Sequence, residues 1–163
     1  MPQRDEVDRI VEAWSRERPD LDFAPLHVLS RVGRLAKHLE RARKSAFAVS
    51  GLEPWEFDVL SALRKAGAPY QLSPTALVQQ TMVSSGTMTN RIDRMVARRL
   101  VERRTDPNDG RGVIVLMTTS GRQSVDEAIT SLVHDETVLL ARMSPLEQER
   151  LSSLLRKLSL DGE

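Results

Sequence analysis

Cysteine is absent from these 163 residues. Disulfide staples, thiolate metal sites and thiol redox switches are therefore excluded, and any signal the protein senses is read by other chemistry. Also missing is an apolar run near the roughly 20 residues needed to cross a bilayer, and the opening MPQRDEVDRI lacks the basic-then-apolar profile of a secretory signal. A soluble, cytoplasmic protein is expected. There is no Gly-rich phosphate loop, no HExxH and no nucleophile elbow, and His27, His38 and His134 are scattered without metal-ligand spacing. No enzyme, cofactor or metal site is expected, and the three histidines are assigned to surface or helix-packing roles. No internal repeat, low-complexity tract or linker interrupts the chain, whose length suits one compact unit.

Net charge is nearly absent too, at +1, but its distribution is uneven. Residues 1–22 carry seven acids against four bases, and residues 123–163 carry eight against four. Residues 84–122 carry eight bases, all arginine, against four acids. The middle of the chain is thus basic and uses the residue suited to planar, bidentate contacts. A solvated mixed-charge surface would show the same bias.

Periodicity predicts a mainly helical protein in the order α-α-α-α-α-β-β-α-α. In residues 4–18, Val7, Ile10, Val11 and Trp14 recur at helical spacing. A longer helix from Leu26 to about Ser50 ends at Gly51, and Pro54 opens a third that stops at Gly67. Ser73-Pro74 gives a cap and a proline at the first helical position, opening PTALVQQ. After a turn of Thr81, Met82 and Val83, Ser84 caps a helix to about Arg98. Two short helices joined by a tight turn form a helix-turn-helix. LVERR and VIVLMT flank TDPNDGRG and read as a hairpin with an eight-residue tip. Helices over 120–141 and from Ser144-Pro145 to about Leu158 complete the chain. The expected organisation is a winged helix-turn-helix at 52–119 between helical dimerisation regions, 1–51 and 120–163.

On the 84–98 helix, Met88, Ile92 and Met95 fall on one stripe facing the core. The opposite side presents Gly86, Thr87, Asn90, Asp93 and Arg94, small and polar residues suited to a major groove. Asn90 can pair bidentately with adenine, and Arg94 with guanine or a phosphate. An ordinary amphipathic surface helix would carry the same stripe, but the preceding short helix and the following basic hairpin favour the groove. At the wing tip, Asp109 and Arg111 stand two residues apart, so the carboxylate can orient the guanidinium toward a narrow minor groove. Ser84 and Ser85, at the start of the helix, complete the candidate DNA-contacting set with Arg91. Met82, Met88 and Met95 are read as core fillers.

This arrangement resembles the MarR family of winged-helix regulators over essentially the whole chain, most specifically in NRIDRMVARRLVERRTDPNDGR. Gly110 departs from the pattern, standing where a further basic residue is frequent, and Gly86 stands where many relatives carry Ser or Pro. The resemblance implies a homodimer with one winged module per subunit, binding double-stranded DNA at a pseudo-palindromic operator with recognition helices about 34–36 Å apart.

A narrower resemblance is to the family's urate-responsive, PecS-like subgroup, which has an extra N-terminal helix and a Trp, Asp, Arg, Arg ligand set. Trp14, Asp58, Arg91 and Arg103 match it in position and spacing. It implies a regulator, usually a repressor, released by a small urate-like anion, with citrate- or aconitate-like anions as alternatives. Asp58 sits among Trp55, Phe57, Val59 and Leu60, so that if buried its charge needs a partner. A structural Asp58–Arg91 salt bridge, a phosphate-binding Arg103 and a core Trp14 are the competing assignment. A winged-helix module that binds protein instead of DNA is a further reading.

Overall fold

The computed structural model describes residues 4–107, 109, 110 and 112–160. The order is α1 (Glu6–Glu17), α2 (Ala24–Val49), α3 (Pro54–Lys65), β1 (Gln71–Leu72), α4 (Pro74–Thr81), α5 (Ser85–Ala97), β2 (Val101–Thr105), β3 (Val113–Met117), α6 (Thr119–Leu140) and α7 (Pro145–Leu160). It separates into two compact units, Met1–Arg43 and Lys44–Glu163. No helix among the described residues is long and apolar enough to cross a membrane. Nor does any group of three or more acidic or histidine side chains among them suit a metal ion.

In the first unit, Asp5 caps α1: its carboxylate accepts the Asp8 N–H at 3.0 Å, and the Asp8 carboxylate returns the bond to the Asp5 N–H at 3.0 Å. Arg31 of α2 reaches Asp5 at 2.8 Å and Asp8 at 2.8 Å, and Arg34 pairs with Glu6. At the other end of α1, Trp14 stacks on Phe23, with ring centroids 6.1 Å apart. Glu6 lies against Arg34 and Trp14 against Phe23, so α1 and the first half of α2 run antiparallel, joined by charge at one end and aromatic contact at the other.

The second unit is built on α3, α4, α5 and a three-stranded antiparallel sheet of order β1-β3-β2. Leu60 and Leu63 of α3, Leu77 of α4, and Met88, Ile92 and Met95 of α5 are fully buried with Val101 and Val115 of the sheet. The stripe expected on the recognition helix is thus the core stripe. Ser73 and Ser84 cap α4 and α5 by accepting the N–H three residues on, at 3.2 Å in both cases. At the start of α7 the Glu147 carboxylate accepts the Ser144 N–H and hydroxyl, each at 2.8 Å.

Several local expectations are corrected by the structure. The wing sheet has three strands, because Gln71 and Leu72 pair with Leu116 and Val115. Thr105 pairs with Val113, which shortens the tip to 106–112. Thr81 belongs to α4, its hydroxyl bonded to the Leu77 carbonyl at 2.7 Å, and the turn begins at Met82 in the left-handed region (φ 52°). Met82 is 92% exposed, whereas Met88 and Met95 are buried, so only the latter two fill the core. The left-handed backbone ends α4 and turns the Met82 side chain into solvent.

Gly121, in the first turn of α6, is needed for a close approach. A Cβ there would lie 2.2 Å from the Leu100 carbonyl oxygen. Helix propensity alone predicts that Gly121→Ala stabilises by about 1 kcal/mol. The overlap with backbone reverses the sign, and we expect a net loss of at least about 2 kcal/mol, read as a fall in Tm of roughly 4–8 °C. The α1–α2 junction should depend on pH. The Asp8 and Asp5 backbone N–H groups, with Arg31, hold the Asp5 and Asp8 carboxyls below their ordinary value, and Arg34 does the same for Glu6. Their contribution is present above the ordinary carboxylate range and is lost as pH falls through the depressed values. Hydrogen exchange in α1 should therefore lose protection between about pH 6 and about pH 3 at constant salt, once exchange is corrected for its intrinsic pH dependence.

Candidate nucleic-acid interface

Two faces of α5 stand outside the core, and they differ in chemistry. Thr87, Arg91, Arg94 and Arg98 recur at three- and four-residue spacing along one edge, while Gly86, Asn90, Asp93 and Ala97 lie on the outer side. The arginine edge is docked on the start of α3. Arg94 lies 4.6 Å from the Trp55 ring centroid and Arg91 lies 5.6 Å from it, so one indole carries two guanidiniums. The Trp55 indole N–H donates to Glu53, and Arg94 Nη2 approaches the same carboxylate at 3.4 Å.

Below that surface pair an exposed arginine reaches a buried acid. Glu56 is 1% exposed and forms an ion pair with Arg98, while Arg98 Nη2 donates to the Gly51 carbonyl at 2.8 Å. Glu56 also accepts the Glu53 backbone N–H at 2.9 Å, which closes the first turn of α3. One carboxylate thus fixes the end of α5 to the α2–α3 corner and caps α3.

Among the expected DNA-contacting residues, Ser84, Ser85, Thr87, Asn90 and Arg94 are exposed, and Arg91 is half-buried. Ser84 Oγ is committed to the cap and donates to the Thr87 hydroxyl at 2.9 Å. The Ser85 carbonyl accepts from the Thr89 hydroxyl at 3.0 Å. Asn90 lies on the outer side, where its amide is open to solvent. Arg94 is turned toward Trp55, away from the outer face where the sequence placed it. Asp109 is exposed at the wing tip, where its carbonyl accepts the Gly112 N–H at 2.8 Å. Arg111 lies outside the described residues.

The proposed ligand set is only partly brought together. Asp58 is exposed, one turn beyond Trp55 on the same side of α3, and makes no ion pair with Arg91 among the described residues. Sequence neighbours suggested burial, but the helical period puts Asp58 opposite Leu60 and gives the buried position to Glu56. Arg103 pairs with Asp93, which is about 200° around α5 from Arg91, so the two arginines serve different sides of the helix. Trp14, in the other unit, is 51% exposed and is not a core residue. The competing structural assignment therefore loses its salt bridge and its core tryptophan. Sequence reading missed Trp55, Glu53, Glu56 and Arg98. The signal that could have found the buried acid is the stripe of Glu56, Leu60 and Leu63 at positions i, i+4 and i+7.

A family model described as "MarR family" matches residues 50–112. The HTH-type transcriptional regulator PecS of Dickeya dadantii (strain 3937) is 34% identical over 150 residues, covering 92% of this chain and 90% of PecS. This chain belongs to the MarR family. Among solved structures, a mutant of Escherichia coli MarR complexed with operator DNA matches with TM-score 0.65 and 26% identity, covering 85% of this chain and 99% of that one. Bordetella bronchiseptica BpsR, whose DNA binding is regulated by 6-hydroxynicotinic acid, matches with TM-score 0.59 and 30% identity, covering 79% of this chain and 98% of that one. As a MarR-family protein, the chain is a DNA-binding winged-helix transcriptional regulator, and its relatives are regulators, not enzymes.

In this MarR-family module the two acids of α3 have separable roles, and thermal or denaturant unfolding should distinguish them. Arg98→Ala removes the cation from the buried Glu56 carboxylate; because the Arg98 side chain is itself 44% exposed, water partly replaces it and the expected cost is about 1–3 kcal/mol. Asp58→Ala, at an exposed position, should change stability by less than about 0.5 kcal/mol.

Proposed function

We propose that this protein acts as a homodimeric repressor that binds a pseudo-palindromic operator through α5 and the wing and is released by a small anionic ligand. The single observation that carries the DNA reading is the outer side of α5, where Gly86 and Asn90 are exposed and no core contact competes for them. A Cβ added at Gly86 would meet nothing within 4 Å, so the glycine faces open space and a duplex backbone can approach closely. The N–H groups at the start of α5 suit a phosphate. In this reading Asn90 reads a base edge, Arg94, Ser85 and Thr87 hold the backbone, Ser84 sets the helix start, and Arg91 borders both the DNA and the ligand. Asp109 orients Arg111 at the wing.

Dimerisation through 1–51 and 120–163 is supported by unpartnered apolar faces. Val28, Leu29, Val32 and Leu35 of α2 are exposed, as are Val133 and Val138 of α6 and Leu146, Leu154 and Leu158 of α7. A two-fold pair would place the recognition helices in successive major grooves.

The anion reading rests on Arg91, whose guanidinium lies over the Trp55 ring, on the resemblance that brings in Trp14, Asp58 and Arg103, and on BpsR as a relative whose DNA binding is regulated by 6-hydroxynicotinic acid, a planar carboxylic acid. A urate-like anion fits best, because a planar ring bearing delocalised negative charge suits a guanidinium beside aromatic surface. A citrate- or aconitate-like anion is the alternative. A coupling of about 1–3 kcal/mol would change operator affinity roughly 5- to 150-fold.

Selecting duplexes from a random pool, with and without urate or citrate, tests these claims together. Two-fold symmetric sites are expected. Asn90→Ala should weaken the selected site by about 1–3 kcal/mol per half-site and relax preference at one base pair. Arg111→Ala in both subunits should lower the slope of log affinity against log salt by about 2. Operator affinity unchanged at saturating urate removes urate as the ligand.

A further inference from the structure

Arg94 lies over the Trp55 ring and is the most exposed arginine on the edge of α5 that borders the outer face. Its surroundings show how it can be controlled. The Trp55 indole holds Arg94 and Arg91 side by side. Glu53 holds the indole by its N–H and also faces Arg94 at 3.4 Å. Both Glu53 and Arg94 are more than half exposed, so the attraction between them is weak and readily exchanged.

We propose that Trp55 is a positioning residue for DNA binding and that Glu53 is an internal competitor of the DNA phosphate for Arg94. The indole keeps the long Arg94 side chain extended along the edge of the helix, which reduces the rotamer freedom lost when it engages DNA. Glu53 occupies the guanidinium in the free protein and is released on binding. The carboxylate then faces the same arginine as an incoming phosphate, so part of the electrostatic gain of docking goes to breaking the Glu53 contact. The two residues consequently act in opposite directions: Trp55 favours the complex and Glu53 opposes it. A pair whose only role was to stabilise α3 would weaken binding when either member was changed.

This inference rests on the reading that Arg94 contacts DNA, and the test separates the two. The probe is a duplex selected by the wild-type protein, and affinity is measured across a salt series for the full-length chain. Arg94→Ala should weaken binding about tenfold and lower the salt slope by about 2 per dimer; if it changes neither, the Arg94 reading fails first. Given that loss, Glu53→Gln should tighten binding about threefold, and the gain should vanish in the Glu53→Gln/Arg94→Ala double variant. Weaker binding by Glu53→Gln, or a gain that persists without Arg94, overturns the competitor role. Trp55→Ala should weaken binding severalfold while Trp55→Phe keeps most of the affinity. Equal affinity for Trp55→Ala and wild type overturns the positioning role. Should Trp55→Ala fail to fold, Trp55→Leu, which keeps apolar volume without a π face, replaces it with the same expected loss.

Discussion

Glu56 is a carboxylate with almost no access to water, and a charge in that position persists only when its partner and its hydrogen bonds are supplied by the fold. Arg98 supplies the charge from the end of the recognition helix, and the Glu53 N–H supplies a hydrogen bond from the start of α3. Because Arg98 also bonds the Gly51 carbonyl, three segments meet at one guanidinium: the α2–α3 corner, the first turn of α3 and the last turn of α5. The Phe47–Phe57 stack, with centroids 4.0 Å apart, packs the same corner from the apolar side. This corner fixes the C-terminal end of α5.

With that end fixed, the two exposed sides of α5 have different work. The arginine edge is already engaged, by ring and carboxylate at the surface and by a buried acid below. The outer side has small residues and Asn90. The sheet adds a second anchor through Arg103 and Asp93, which ties β2 to the outer side of the helix from the opposite direction. A regulatory signal that disturbed either anchor would alter the presentation of the outer face without unfolding the core, whose stripe of Met88, Ile92 and Met95 lies on neither edge. That separation between packing and presentation gives a MarR-family regulator a place to be controlled.

Much of this was legible in the amino-acid order. Ser73, Ser84 and Ser144 announced helix starts because a hydroxyl before a helix satisfies an orphan N–H, and the two prolines that follow Ser73 and Ser144 reinforced the signal. The core stripe of α5 followed from its period. The strand at Gln71–Leu72 did not, since two residues cannot display an alternation and its pairing is with a strand more than 40 residues later. Met82 was misplaced because apolar character says nothing of a left-handed backbone that points the side chain outward. Asp58 was chosen over Glu56 by its linear neighbours, although a step of two residues along a helix separates inside from outside. Trp55 went unselected because its role is defined by Arg91 and Arg94, which reach it only once α5 is folded against α3.

The central claim is that Trp55 holds the edge of the recognition helix facing α3 and keeps Arg94 in place for DNA, while Glu53 competes for it. The chain has two tryptophans, so its indole N–H groups provide two resonances, which Trp55→Phe assigns. The most direct measurement is the position of the Trp55 indole resonance as an operator duplex is titrated to saturation, with buffer alone as control. The account predicts that this resonance moves in step with complex formation, because Glu53, which accepts the Trp55 indole N–H, gives up its contact with Arg94 when a phosphate takes its place. A Trp55 resonance that stays in place while the duplex binds would contradict it.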